Sequence, residues 1–383
     1  MIKRTIVSAA LLFATLALGT TAHAANVADC PLAKQAYSID SPLIDVLINP
    51  DTKAAIARVN PDLLAKMPPM FLKGTTPSFA AIISLRTLQA YASMPAGLLE
   101  QLDRALAAVP VTAEASVARC ARYDRQPPEL PRSLKHPALL IFDKINGFRD
   151  DPSVNAATAA LKSMAERRGW TLVFSDNGAV FNARDLKRFD AVVWNNISGD
   201  VLTMPQRAAM KRYIESGGGF AAFHGSGGDP DYYWDWYADT LIGARFKGHP
   251  NWPQFQSAKV LVEDTANSIV AGLGTGWEMT EEWYSFKSSP RLKGAHVLVT
   301  LDEKSYQPVG RMRPDMPEAD MRMGDHPLAW TQCIVNGRSF YSAIGHRPES
   351  YTEAHSLQLL EQGIAWAAGL GATRCRAGRE IAR

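Results

Sequence analysis

The sequence predicts an α/β fold: a doubly wound, mostly parallel sheet preceded by a small all-α module. Three observations carry this. From Ala138 onward, short apolar runs alternate with amphipathic helical stretches, the pattern of parallel strands joined by helices. Before that point, apolar residues recur only at helical spacing, as in Leu98, Leu102, Leu106 and Val109. Between the two regimes lies Gln126-Pro127-Pro128-Glu129-Leu130-Pro131, a stiff boundary.

Residues 1–24 read as a secretory signal peptide. Lys3 and Arg4 precede the apolar run Ala9 to Leu18, and Ala22-His23-Ala24 marks a cut before Ala25. A retained anchor would need ~20 apolar residues. Residues 25–122 form the helical module. Ser41 is placed to cap a helix that has Pro42 at its first position, and Pro50 opens another carrying Ile56 and Val59. Residues 123–135 are the proline-rich linker and 136–370 the α/β domain. There the strands are Ala138 to Phe142, Leu172 to Phe174, Ala191 to Trp194, Phe220 to Phe223, Val297 to Leu301 and Arg338 to Ile344. The helices are Val154 to Arg168, Pro205 to Ser216 and Ser356 to Ala368. The aromatic-rich stretch from Tyr232 to about Ser289 reads as a less regular insertion around the site. The basic tail, residues 371–383, is expected to be poorly ordered unless Cys375 is tied down.

The formal charge is +3, and loss of Lys3 and Arg4 brings it to +1. No basic stripe stands out, which argues against nucleic acid as a partner. A near-neutral surface fits a small neutral ligand. Export would place the chain in the periplasm or outside the cell, with no membrane attachment after cleavage, so the four cysteines read as disulfides. Three connectivities exist. Cys30 and Cys120 bracket the helical module, so Cys30–Cys120 is the expected pair, with Cys333–Cys375 as its complement. No Cys-x-x-Cys spacing supports a zinc knot.

Three of the eight histidines fall at or near strand ends. In open α/β sheets ligands bind at the carboxyl ends of strands. His224 closes Gly219-Phe220-Ala221-Ala222-Phe223 and precedes Gly225-Ser226-Gly227-Gly228. His346 follows Ile344-Gly345, and His326 lies in Gly324-Asp325-His326-Pro327. The glycines after His224 would admit a ligand closely. His249, between Gly248 and Pro250, is balanced between a site and a turn role. His136 and His355 read as surface residues, and His296 sits at the wrong end of its strand. Of Glu281 and Glu282, one in an aromatic setting would have a raised pKa and act as a general acid. Alternation would aim the two oppositely. His224, His326, His346 and Glu282 also make a donor set for a divalent metal; no other cofactor is expected. Trp234, Trp236, Tyr237 and Tyr284, with Gly225 and Ser226 of the turn, are the candidate sugar contacts, because aromatic faces suit sugar C–H surfaces. Ser226 lacks the first glycine of Gly-x-Ser-x-Gly, which sets a serine hydrolase aside.

A longer series of phrases resembles the ThuA-like, or trehalose-utilisation, family. The series runs from Gly219-Phe220-Ala221-Ala222-Phe223-His224-Gly225 through Trp234-Asp235-Trp236-Tyr237 and Phe246-Lys247-Gly248-His249-Pro250. It continues through Glu281-Glu282-Trp283-Tyr284, Leu301-Asp302-Glu303-Lys304-Ser305-Tyr306, Asp325-His326-Pro327-Leu328-Ala329-Trp330 and Gly345-His346. It covers roughly residues 136 to 370. The resemblance implies the fold of class I glutamine amidotransferases, with His224 where those enzymes hold a nucleophilic cysteine. An imidazole cannot replace that thiolate, so glutaminase chemistry is excluded. The resemblance further implies action on trehalose-like glucosides or their 3-keto derivatives, and favours Glu282 as the inward carboxylate. His224, His346 and Glu282 are then the acid/base residues, assisted by His326. The chain departs from the family at Gly147-Phe148-Arg149-Asp150, where Asp150 stands in place of a histidine. The competing class is a non-catalytic sugar-binding or accessory protein.

Overall fold

The computed structural model describes residues 28–89, 94–95, 97–311 and 318–382. The expected signal peptide and its cut before Ala25 lie outside the described residues. Among the described residues no helix is long and apolar enough to cross a membrane.

The N-terminal module contains the helices Leu43–Leu47, Pro50–Val59, Leu85–Gln89, Leu98–Ala107 and Ala113–Cys120. Leu98, Leu102 and Leu106 lie one turn apart and, with Leu99, pack with Leu43, Val46 and Ile56 in a core of their own. Burying each such leucine contributes ~1.5–3 kcal/mol. The first helix begins one residue later than the sequence suggests. Pro42 is its N-cap, and the Ser41 hydroxyl instead accepts from the Ser38 N–H at 3.0 Å. A disulfide joins Cys30 to Cys120, with Cα atoms 5.3 Å apart.

The α/β domain is built on a nine-stranded sheet. Its strands are β1 (Ala138–Phe142), β2 (Thr171–Ser175), β3 (Ala191–Trp194), β4 (Gly219–Phe223), β5 (Phe255–Val262), β6 (Gly276–Glu282), β7 (His296–Leu301), β8 (Pro327–Ile334) and β9 (Gly337–Ser342). Their order is β2-β1-β3-β4-β9-β8-β7-β5-β6. The run from β2 to β9 is parallel, and β8, β7, β5 and β6 add on antiparallel. The stretch from Tyr232 to Ser289 is therefore not an irregular insertion. It supplies β5 and β6, and β5 alternates exposed and buried residues along most of its length.

Both faces of β1, β3 and β4 are covered, which is why these segments read as continuous apolar runs. Along β4, Ala221 and Phe223 join one core with Leu161, Met164 and Ile364, while Phe220 and Ala222 join the other with Phe142, Trp194 and Tyr341. Helix Asp151–Arg168 buries Val154, Ala157, Leu161, Met164 and Ala165 on one stripe. It starts at Asp150, whose carboxylate accepts from the Ser153 N–H at 3.2 Å, and stops at Gly169 in the left-handed conformation. The C-terminal residues are tied down: Thr373–Arg376 pairs with Arg379–Ala382, and Cys375 is disulfide-bonded to Cys333 of β8.

The helical module docks on the loops at the carboxyl ends of β1 and β4. The Ser78 N–H donates to Asn146 O at 3.0 Å, the Asp231 N–H to Ile82 O at 3.2 Å, and the Thr87 hydroxyl to Asp231 Oδ2 at 2.6 Å.

Candidate functional site

His224 follows β4 immediately and opens a tight turn over His224–Gly227, with φ at +26°. That angle is unfavourable for a residue with a Cβ, and such strain persists only where surrounding contacts over-determine it. Here Tyr341 donates its hydroxyl to His224 O at 2.8 Å, and the Tyr284 ring stacks on the imidazole with centroids 3.9 Å apart. The glycines of this turn make room for the protein itself rather than for a ligand. A Cβ at Gly227 would run into the Tyr341 phenol, and one at Gly228 into the Tyr284 ring.

The imidazole is oriented from behind: His224 Nδ1 donates to Ala343 O, just past β9, at 2.7 Å. This fixes the ring and directs Nε2 forward. Nε2 lies 3.2 Å from Glu282 Oε2 and 3.1 Å from His346 Nδ1, and His346 Nδ1 lies 2.8 Å from the same Glu282 oxygen. The second Glu282 oxygen meets His249 Nε2 at 3.3 Å and accepts from the Gln254 amide at 2.5 Å. Glu282 is thus the hub of the site. His249 belongs to the group, and its Gly-His-Pro setting was the available signal. Gln254 carried none.

Burial works to raise the Glu282 carboxyl, but the imidazoles of His224, His346 and His249 hold it well below the usual range. At His346, burial opposes the proton, and the Glu282 carboxylate outweighs it, so its pKa is raised. The expectation that Glu282 carries the raised pKa of a general acid is corrected: it is an anion held between histidines. Burial raises its neighbour Glu281, with His224 and Ser350 pulling partly the other way. Glu281 faces the opposite side of β6 and is spent on the chain itself. It accepts from the Glu282, Gly345 and Arg347 N–H groups at 2.7, 3.0 and 3.3 Å, and from the Ser350 hydroxyl.

The structure does not bring His326 to this group. Its Nδ1 meets Glu303 Oε1 at 2.8 Å and its Nε2 meets Tyr284 O at 2.9 Å, so both nitrogens are occupied inside the fold. It supports Tyr284 from the far side. Trp234, Trp236 and Tyr237 also lie away from the imidazoles. Trp234 stacks on Tyr237, Tyr237 donates to Ser226 O at 2.5 Å, and the three pack onto the core beneath the turn. Ser226 is buried, with its hydroxyl accepting from the Ile197 N–H at 3.0 Å and facing Trp194 O. The Gly225 N–H donates to Asn196 Oδ1 at 3.2 Å. Asp150 is a helix cap: its carboxylate accepts from the Ser153 N–H at the start of Asp151–Arg168.

The aromatics near the imidazoles are different ones. Phe255 sits 5.2 Å and Phe148 6.4 Å from the His346 ring, and they are 40% and 39% exposed. Phe79 of the helical module stacks on Phe148 at 4.8 Å. These rings border the outward side of His346. A separate cavity of about 310 Å³ lies between the module and the α/β domain, lined by Ser41, Asp45, Arg119 and Tyr232, and does not include the histidine cluster.

The family model described as trehalose utilisation, ThuA, matches residues 138–367. No curated protein sequence matches the chain. Among solved structures, a protein from Bacteroides uniformis named thua-like is 23% identical, with a TM-score of 0.50, over 63% of this chain and 95% of that one. A second thua-like protein, from Parabacteroides merdae, is 16% identical, with a TM-score of 0.46, over 64% and 93%. The first likeness shows a shared fold. The helical module lies outside the matched family residues, which nonetheless span every strand of the central sheet and the whole histidine–glutamate cluster, and on that extent of match the chain belongs to the ThuA family.

Proposed function

We propose that this protein processes a neutral sugar, a trehalose-like glucoside or its 3-keto derivative, by proton transfer at His224, Glu282 and His346. The observation that carries the reading is a buried carboxylate held between two imidazoles that follow β4 and β9, with the partly exposed rings of Phe148 and Phe255 beside His346. The family's name supplies the carbohydrate class. Phe148 and Phe255 offer the flat apolar faces that sugar C–H surfaces pack against.

A 3-keto glycoside suits such a site because the ketone makes the C2 proton acidic. A base in the cluster removes that proton, and the C–H electron pair becomes the C1=C2 bond. The C1–O bond breaks, and the departing oxygen takes a proton from an imidazolium. Water added back across the double bond completes hydrolysis. Two disulfides fit an oxidising compartment, in keeping with a periplasmic or secreted protein.

The test is turnover of trehalose and its 3-keto form by wild type, His224→Ala and Glu282→Gln. Each substitution is expected to lower kcat by roughly 10²–10⁴-fold with binding retained. Wild-type turnover in both variants would remove the mechanism. Loss of sugar affinity, with no turnover by any form, would make this an accessory binding protein.

A further inference from the structure

The three atoms at the centre of the site pose a problem of proton accounting. His224 Nδ1 gives its hydrogen to Ala343 O, so in the neutral ring Nε2 presents a bare lone pair. That lone pair faces a carboxylate oxygen and a second imidazole nitrogen, and all three separations lie between 2.8 and 3.2 Å. A hydrogen on His346 Nδ1 satisfies the edge to Glu282 and leaves His224 Nε2 directed at another acceptor. One cation at the centre satisfies all three atoms together.

The spacing is that of a coordination shell. A cation about 2.1 Å from three N or O donors, at tetrahedral to octahedral angles, sets those donors roughly 3.0–3.4 Å apart. His224 Nε2, His346 Nδ1 and Glu282 Oε2 sit close to that spacing before any ion draws them into place. The supports behind them are those that metal ligands need. A backbone carbonyl fixes the His224 tautomer, and Gln254 and His249 hold the second oxygen of Glu282. Two imidazoles and one carboxylate form a borderline donor set suited to zinc and its first-row neighbours, and three protein ligands leave a position for water or substrate.

We infer that His224, Glu282 and His346 bind one divalent transition-metal ion, of the zinc class. His326, a ligand candidate by sequence, is outside the set. The inference rests on reading this cluster as the active site. With the ion bound, the proton-transfer role given above to these three side chains would pass to it: the metal would polarise the carbonyl oxygen of a keto-sugar, and a water bound to it would serve as the base.

The experiment uses the full mature chain stripped with chelator. Zinc chloride is added and bound metal is measured by elemental analysis and calorimetry, with cobalt chloride as a parallel probe read by its visible absorption. One ion per chain is expected. Affinity should fall at least about 100-fold in both His224→Ala and Glu282→Gln and stay unchanged in His136→Ala. Glu282→Gln preserves shape, and circular dichroism without metal establishes that each variant is folded. Absence of binding in the wild type, or binding that both site variants keep, overturns the inference. Binding lost in both variants supports it even if no keto-sugar is turned over, and that combination would count against the carbohydrate reading alone.

Discussion

Glu281 and Glu282 are adjacent, chemically identical and both buried, yet the structure gives them opposite duties, and stability measurements can separate them. Replacing Glu281 with Ala removes the acceptor for three backbone N–H groups, those of Glu282, Gly345 and Arg347, and for the Ser350 hydroxyl. Each buried donor left without a partner costs ~1–3 kcal/mol. Four such losses, partly relieved by water entry, should destabilise the fold by roughly 4 kcal/mol. Such a value is at the far end of single-substitution effects and belongs to a broken buried network. Glu282→Ala removes a carboxylate whose partners include His346 and His249, both reached by solvent, so water can take its place. Its cost should stay below about 2 kcal/mol. Urea unfolding followed by circular dichroism gives both values from the midpoints, provided the slopes agree. If Glu281→Ala unfolds within about 1 kcal/mol of wild type, or no more easily than Glu282→Ala, the division of labour drawn here is wrong.

Asp229 is fully buried, and burial pushes its carboxyl from the ordinary 3.8 up to about 7, against hydrogen bonds from Ser198 and Gly199. Because the folded pKa is raised, the contribution is whole below the unfolded value and is lost as pH rises through about 7, at roughly 1.4 kcal/mol per unit in between. The stability gap between wild type and Asp229→Asn should therefore narrow as pH goes from 5 to 7; a constant gap in urea titrations would contradict this. The Cys30–Cys120 bridge spans 90 residues, so replacing both cysteines with Ser should cost about 4–5 kcal/mol in the chain-entropy model. Proteolysis should then open the helical module first, and equal protection of module and sheet would count against that account.

Much of the architecture is written in local pattern. β1, β3 and β4 are apolar runs because both of their faces are covered, and the residues that end them follow from that. His224 is legible because Gly219 to Phe223 can only be a buried strand, and the next residue in such a sheet stands at the ligand edge. Cys30–Cys120 is legible because those two cysteines bracket the module, and Cys333–Cys375 is then the pair that remains. β5 carries half-exposed alternation and lies among aromatics, so its pairing with β6 and β7 emerges only when the sheet is assembled. The same holds for side-chain duties. Glu281 is structural because Gly345, Arg347 and Ser350 come to it from far along the chain. His249 joins Glu282 across the stretch between them, and His326 turns to Glu303 and Tyr284 instead. Trp234 and Tyr237 find each other in the core, while Phe79, from another module, reaches Phe148 beside His346. Periodicity records which face of an element is buried. It does not record which distant group meets that face, and in this protein those meetings separate the residues of the His224–Glu282–His346 cluster from those that support it.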